Sequence, residues 1–346
     1  MAIYRVLGTS VLTNEQFHTK AAEVAEQAAR LEANTAGFMP IGINKPLTIQ
    51  IRHVYTGQFP KQGFLSGKKD MLVVSAMKDV AIFNAATRAV NFLRKGVVAS
   101  SNFDTPQATE QGTPLVWYSP AVTTASTILT FEIVFDEFPD ELLKKVAGAI
   151  SGLAGIPIFL PANGYLLAAS TVVKLATGLG QALFDGKPVF AATETIDFDT
   201  PGAPIAEAEF RVICGPALDA ADFKFVPRRG LVGPGDKTYD GPEPYIVISL
   251  DGRKREDLST FAATMASSAL LEKFYNVKDG TETAIDTVVD AMRLLNDSKF
   301  RSQVDAVDRK LTGIDLDSDE GKALKEKRAA LAANILNDVL KPKLLA

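Results

Sequence analysis

The chain has 346 residues, 47% of them hydrophobic, and a formal net charge of -4 from 37 basic and 41 acidic side chains. That length buries a sizeable core without staples and suits two domains, or one large domain with an appendage. The charge balance excludes an electrostatic footprint for a nucleic-acid backbone, and the single cysteine, Cys214, excludes an internal disulfide and multi-cysteine metal sites.

A lone cysteine points to a reducing compartment. The opening residues MAIYRVLGTSVLTNEQF lack a basic leader followed by an apolar core, so no secretion signal is read and a cytoplasmic protein is expected. Ile3 to Leu7 read as a short strand. Residues 14–34 carry Phe17, Ala21, Val24, Ala28 and Leu31 at helical spacing, with Asn14 as the expected cap. The period then changes. Leu47, Ile49, Ile51 and His53 alternate with Thr48, Gln50 and Arg52, as in a strand with one solvated face.

Residues 70–79 and 115–119 are further strands, 99–114 read as loop, and 80–95 are undecided between helix and loop. Two clear alternations follow. Leu129, Phe131, Ile133 and Phe135 mark one strand over 128–136. Glu194, Ile196 and Phe198 oppose Thr195, Asp197 and Asp199 in another over 190–199. Residues 208–214 and 245–250 complete the β series, separated by the Gly/Pro-rich passage 226–244, which reads as a long loop.

Between the two clearest strands lies a stretch, 142–184, whose only charged residues are Lys144, Lys145 and Lys174. Pro157 and Pro161 interrupt it, so two helices are predicted, about 139–154 and 163–184. The first has an apolar stripe at Leu142, Val146, Ile150 and Leu153, with Gly148, Gly152 and Gly155 allowing close backbone approach on the other side. The second would reach about 33 Å, yet Ser170, Lys174, Thr177 and Gln181 form a polar stripe opposite Val172, Leu175, Leu179 and Leu183. The expectation is a hairpin packed on the β domain, either capping an end of the sandwich or covering an open sheet face. The alternative is a hairpin that is conditionally exposed and contacts a membrane.

From Asp257 the pattern turns helical, with four stripes. They are Leu258, Phe261, Ala262, Met265 and Ala269; Ile285, Val288, Val289, Met292 and Leu295; Phe300, Val304, Val307 and Leu311; and Leu324, Leu331, Ile335 and Val339. The overall expectation is an α+β protein. An antiparallel β-sandwich-like domain (1–250) carries the inserted helical hairpin (139–184), and a C-terminal helical region (251–346) packs on it or on another subunit.

The residues suggest little chemistry. Of two histidines, His53 falls on the apolar side of its strand and reads as hydrogen-bonded core, and His18 reads as surface. Ser66–Lys69 and Ser75–Lys78 satisfy Ser-x-x-Lys, but Ser75 ends a strand-like run and Ser66 lies in a turn. A Ser–His–Asp set built on His53 and Ser75 has no supporting spacing. The phosphate-loop glycine spacing is absent.

Asp136 and Glu137 could meet Asp197 and Asp199 at one end of a sandwich, as hard ligands for calcium or as a carboxylate pair for glycoside hydrolysis. Solvated strand ends are the simpler reading. Asp315, Asp317, Asp319 and Glu326 resemble a calcium loop, but Gly321 stands one place too late. Capping of a helix by Ser318 or Asp319 explains the same residues. No catalytic, cofactor-binding or metal residue is assigned. Arg228–Arg229 and Arg253–Lys254–Arg255 read as solvated loops. The expected function is a non-enzymatic structural or partner-binding protein, with a protein partner or further copies of itself. A membrane-active effector is the alternative, and a carboxylate hydrolase ranks behind it.

Overall fold

The structure is a computed structural model that describes residues 2–20, 39–61, 68–78, 86–104, 112–150, 157–162, 165–168, 171–174, 187–198, 210–258, 261 and 282–343. Strands β1 (Ala2–Leu7) and β2 (Ser10–Leu12) form a hairpin whose turn places Gly8 at φ 65°. Helix α1 (Asn14–Thr19) follows. Its cap is Thr13, one residue before the expected Asn14. The Thr13 hydroxyl accepts from the Gln16 amide at 3.1 Å, and the Gln16 side chain accepts from the Thr13 amide at 2.9 Å. The remainder of the predicted 14–34 helix lies outside the described residues.

Next come β3 (Leu47–Tyr55), β4 (Lys69–Lys78), β5 (Ala86–Val97), β6 (Asn102–Asp104), β7 (Leu115–Ser119) and β8 (Ser126–Asp136). The undecided stretch 80–95 thus supplies much of a strand, and the expected 99–114 loop contains β6. Helix α2 (Asp140–Ile150) precedes β9 (Ile158–Ala162), β10 (Tyr165–Ala168) and β11 (Thr171–Lys174). The chain continues through β12 (Phe190–Asp197), β13 (Phe210–Cys214), β14 (Lys224–Val226), β15 (Gly230–Val232) and β16 (Tyr245–Asp251). It ends in α3 (Glu282–Leu311) and α4 (Asp319–Ala333).

The strands form two antiparallel sheets. The first runs β15-β14-β2-β1-β13-β16-β3-β6, with β7 also paired to β3. The second runs β11-β10-β9-β5-β4-β8-β12. One apolar core draws on both: Ile49 and Ile51 from β3, Ile246 and Ile248 from β16, Val73 from β4 and Phe131 from β8. Because successive side chains point to opposite faces, each sheet has a second face to cover. Leu72 and Val74 of β4, with Val134 of β8, lie against Leu142 and Val146 of α2. On the first sheet, Val247 and Tyr245 pack with Tyr4, Val212 and Phe225. Burial on both faces is why β4 and β16 read as nearly continuous apolar runs.

The inserted segment 139–184 departs from the expected helical hairpin. Its first arm is helical and packs on the second sheet. Gly148 is exposed, and among the described residues a Cβ there would meet no atom within 4 Å. Where the second helix was expected, Tyr165–Ala168 and Thr171–Lys174 are strands paired in register, Leu167 opposite Val172. Hydrogen bonding along a sheet edge wins over the helical polar stripe. Residues 175–186 lie outside the described part.

Passage 226–244 is also less irregular than predicted. It contains β15, the Val232↔Thr238 bridge and Tyr239, which packs edge-on to Tyr55 at 5.4 Å. In the tail, the second and third stripes share the single helix α3 rather than two helices. Phe300, Val304, Val307 and Leu311 join the core between the sheets, as do Leu331 and Ile335. Leu295, expected in a covered stripe, is exposed.

Candidate functional site

In the C-terminal helical pair, buried polar anchors and exposed apolar groups occur together. Ser318 caps α4, accepting from the Gly321 amide at 3.1 Å. A Cβ at Gly321 would lie 2.3 Å from the Asp315 carbonyl oxygen, so the turn closes only over glycine. Asp297 of α3 is buried, and its carboxylate accepts from the amides of Leu336 (3.2 Å) and Asn337 (2.8 Å). Arg301 donates to the Leu340 carbonyl at 3.4 Å, so the chain after α4 runs back along α3. Arg328 joins Asp308 to the Lys343 carbonyl. On this well-held element Leu294, Leu295 and Val339 are 51%, 54% and 90% exposed. Between them in sequence, Asn296 is buried with no hydrogen-bond partner at either end of its amide among the described residues.

On its inner side the pair overlies a small pocket with room for about one water. Leu47, Met77, Trp117, Val122, Phe198 and Phe300 supply apolar walls. Ser119, Thr123, Thr124, Thr127 and Asn334 supply polar ones. Asn334, just past α4, donates from Nδ2 to the Ala121 carbonyl at 3.1 Å and to the Ala330 carbonyl at 2.9 Å. Trp117 lies edge-on to Phe261, at 5.6 Å between centroids.

A second polar feature links the sheets. Glu194 of β12 and Arg211 of β13 form an ion pair, 3% and 4% exposed. Arg5 of β1 stacks over Phe17 at 4.7 Å. Burial, aided by the nearby Arg211 guanidinium, pulls its pKa down to about 10. Glu194 had a visible signal: it keeps phase with Phe190, Ala192 and Ile196, the buried side of its strand. Arg211 likewise interrupts an apolar run.

The candidates named from sequence are dispersed. His53 is buried on β3, with Nδ1 2.8 Å from Asp104 Oδ1 and Nε2 3.0 Å from Asn102 Oδ1, and it stacks on Tyr245. Both ring nitrogens are thereby occupied. Ser75 is buried in the other sheet. Lys78 follows Ser75 along an extended strand, about 10 Å away rather than one helical turn. Ser66 lies outside the described residues, as does Asp199. His18 is exposed.

Asp197 pairs with Ser126, whereas Asp136 ends the same strand β8 beyond Ile133, the partner of Phe190. The two carboxylates therefore sit at opposite ends of one ladder, roughly 30 Å apart. Neither a shared calcium ion nor a paired-carboxylate reaction fits that separation. Glu137 instead meets Lys69 at 2.7 Å. Asp315 accepts from the Asp317 amide at 3.0 Å, within the turn that leads to the Ser318 cap. Among the described residues no group of three or more His, Cys, Asp or Glu is placed to hold a metal ion. Arg229 pairs with Asp236, and Arg253, Lys254 and Arg255 pair with Asp251, Glu256 and Asp257. No helix among the described residues is long and apolar enough to cross a membrane.

Cys214 is fully buried, and burial pushes its thiol from 9.0 up to about 12. Comparison with models of protein families, with curated proteins and with solved structures finds no match to this chain.

Proposed function

We propose that this chain is a non-enzymatic protein that acts by protein–protein assembly, through the outer face of its C-terminal helical pair. The observation that carries the reading is the exposure of Leu294, Leu295 and Val339 on an element otherwise anchored by buried groups. Covering a leucine or valine side chain is worth about 1.5–3 kcal/mol. The two sheets, sharing one core, then act as a sandwich-like scaffold that holds the pair in place. A cytoplasmic setting suits the single buried thiol.

Light scattering coupled to size exclusion tests the proposal. The expected result is a concentration-dependent oligomer that becomes monomeric in Leu294→Lys and Leu295→Lys. A chain that is monomeric at every concentration rules out self-assembly. The same two variants then decide, by pull-down with unchanged folding, between a different protein partner and no role for this face.

A further inference from the structure

We propose that the outer edge of β12 docks the β12 strand of a second copy of this chain, antiparallel and centred on Thr193, joining two seven-stranded sheets into one. β12 ends its sheet and pairs with β8 alone, in unbroken register from Phe190 to Asp197. The Phe198 amide donates to the Ala125 carbonyl at 2.7 Å, which fixes the phase of the ladder. Phe190, Ala192, Glu194 and Ile196 therefore turn their backbone groups to β8, and Ala191, Thr193, Thr195 and Asp197 turn theirs outward. The Val189 amide turns in to the Ile133 carbonyl at 2.9 Å, so the open edge begins at Ala191. Among the described residues nothing pairs with the outward backbone groups.

Sheet edges are ordinarily blunted by lysine, proline, a bulge or shortness. β15, β6 and β11, at the other ends of the two sheets, have three, three and four residues. β12 has eight, with neither lysine nor proline among them. Its one inward charge, Glu194, is matched by Arg211 of the same chain.

The edge suits a copy of itself. On the solvent side Ala191, Thr193 and Thr195 are small and uncharged, and Lys187 and Asp197 stand exposed at opposite ends of the strand. Antiparallel pairing brings Lys187 of each copy alongside Asp197 of the other, whereas parallel pairing sets like charges together. Centring on Thr193 places Thr193 against Thr193 and Ala191 against Thr195. It extends the threonine ladder begun by Thr130 and Thr193, whose hydroxyls lie 3.4 Å apart. Centring on Glu194 would instead set two glutamates face to face.

One strand edge makes a small interface, so this contact is weak by itself and forms at concentrations above those of size exclusion. It uses none of Leu294, Leu295 or Val339. The experiment therefore takes both the full chain and its Leu294→Lys/Leu295→Lys variant to about 1 mM. Sedimentation equilibrium gives the mass, and amide hydrogen exchange gives the pairing. The expected result in the variant is a monomer–dimer equilibrium. In both chains the Ala191, Thr193 and Thr195 amides should become protected as concentration rises, while Ala192, Glu194 and Ile196 are protected throughout.

Thr193→Lys, which sets two lysines face to face, should remove the concentration-dependent protection. Lys187→Asp or Asp197→Lys alone should weaken the pairing about tenfold, and the two together should restore it. Should the Leu294→Lys/Leu295→Lys variant fail to fold, the exchange pattern of the unaltered chain decides alone. A folded variant that stays monomeric at about 1 mM, outward amides protected at every concentration, or a double reversal no better than the singles would each overturn the proposal. The second of these would mean that the chain covers this edge itself.

Discussion

The Glu194–Arg211 pair offers the sharpest test of the packing between the two sheets. Both side chains are almost completely removed from water, and they belong to strands of different sheets. At hydrogen-bonding separation their attraction is about 5 kcal/mol for an effective dielectric near 20. Desolvation costs several kcal/mol per ion, so the pair contributes little net stability, while losing one partner is expensive. Glu194→Leu should cost about 3–5 kcal/mol, a large part of a typical stability of about 5–15 kcal/mol. It leaves Arg211 buried beside Arg5, two like charges that already oppose each other.

Arg211→Met should cost less than Glu194→Leu, because Arg5 still faces the orphaned carboxylate. The double variant Glu194→Leu/Arg211→Met should recover most of the loss, since apolar replacements of buried pairs are often neutral or stabilising. Urea unfolding midpoints at constant slope give all three values. Single-variant costs below about 1 kcal/mol would show that water reaches the pair and refute the reasoning. A double variant as damaging as the sum of the singles would do the same.

Cys214 should resist thiol reagents in the native chain and react at a rate that follows the unfolded fraction as urea is added. Its folded pKa, about 12, lies above the ordinary 9.0, so the folded state keeps a proton that the unfolded state loses. That contribution is complete below pH 9 and is lost as pH rises towards 12. Cys214→Ala should therefore flatten the fall in stability across that window, as pH-resolved unfolding would show. Gly321→Ala should destabilise by about 1–3 kcal/mol, because the added methyl meets the Asp315 carbonyl. A change under a few tenths would mean that the turn relaxes freely. Leu142→Ala should cost about 2–5 kcal/mol in thermal or chemical unfolding, since Leu142 is wholly buried between α2 and the second sheet.

The strands with one buried face were readable because alternation is a local property. In β12 the buried positions Phe190, Ala192, Glu194 and Ile196 recur at every second residue. The cap at Ser318 was readable for the same reason, since hydroxyl, acids and glycine lie within four residues. The apolar stretch around 165–174 was misread because a segment with little charge shows no decisive period, and strand and helix then look alike. Its strand form depends on neighbours, β10 between β9 and β11 at the sheet edge. The sequence by itself determined the alternating faces of strands such as β12 and the position of the α4 cap. Only the tertiary structure decided what each face meets. Register sets Asp136 and Asp197 at opposite ends of one ladder, while packing between elements sets Arg211 against Glu194 and brings Asn334 and Trp117 to one pocket. These are pairings between residues far apart in the chain, and no short window of sequence records them.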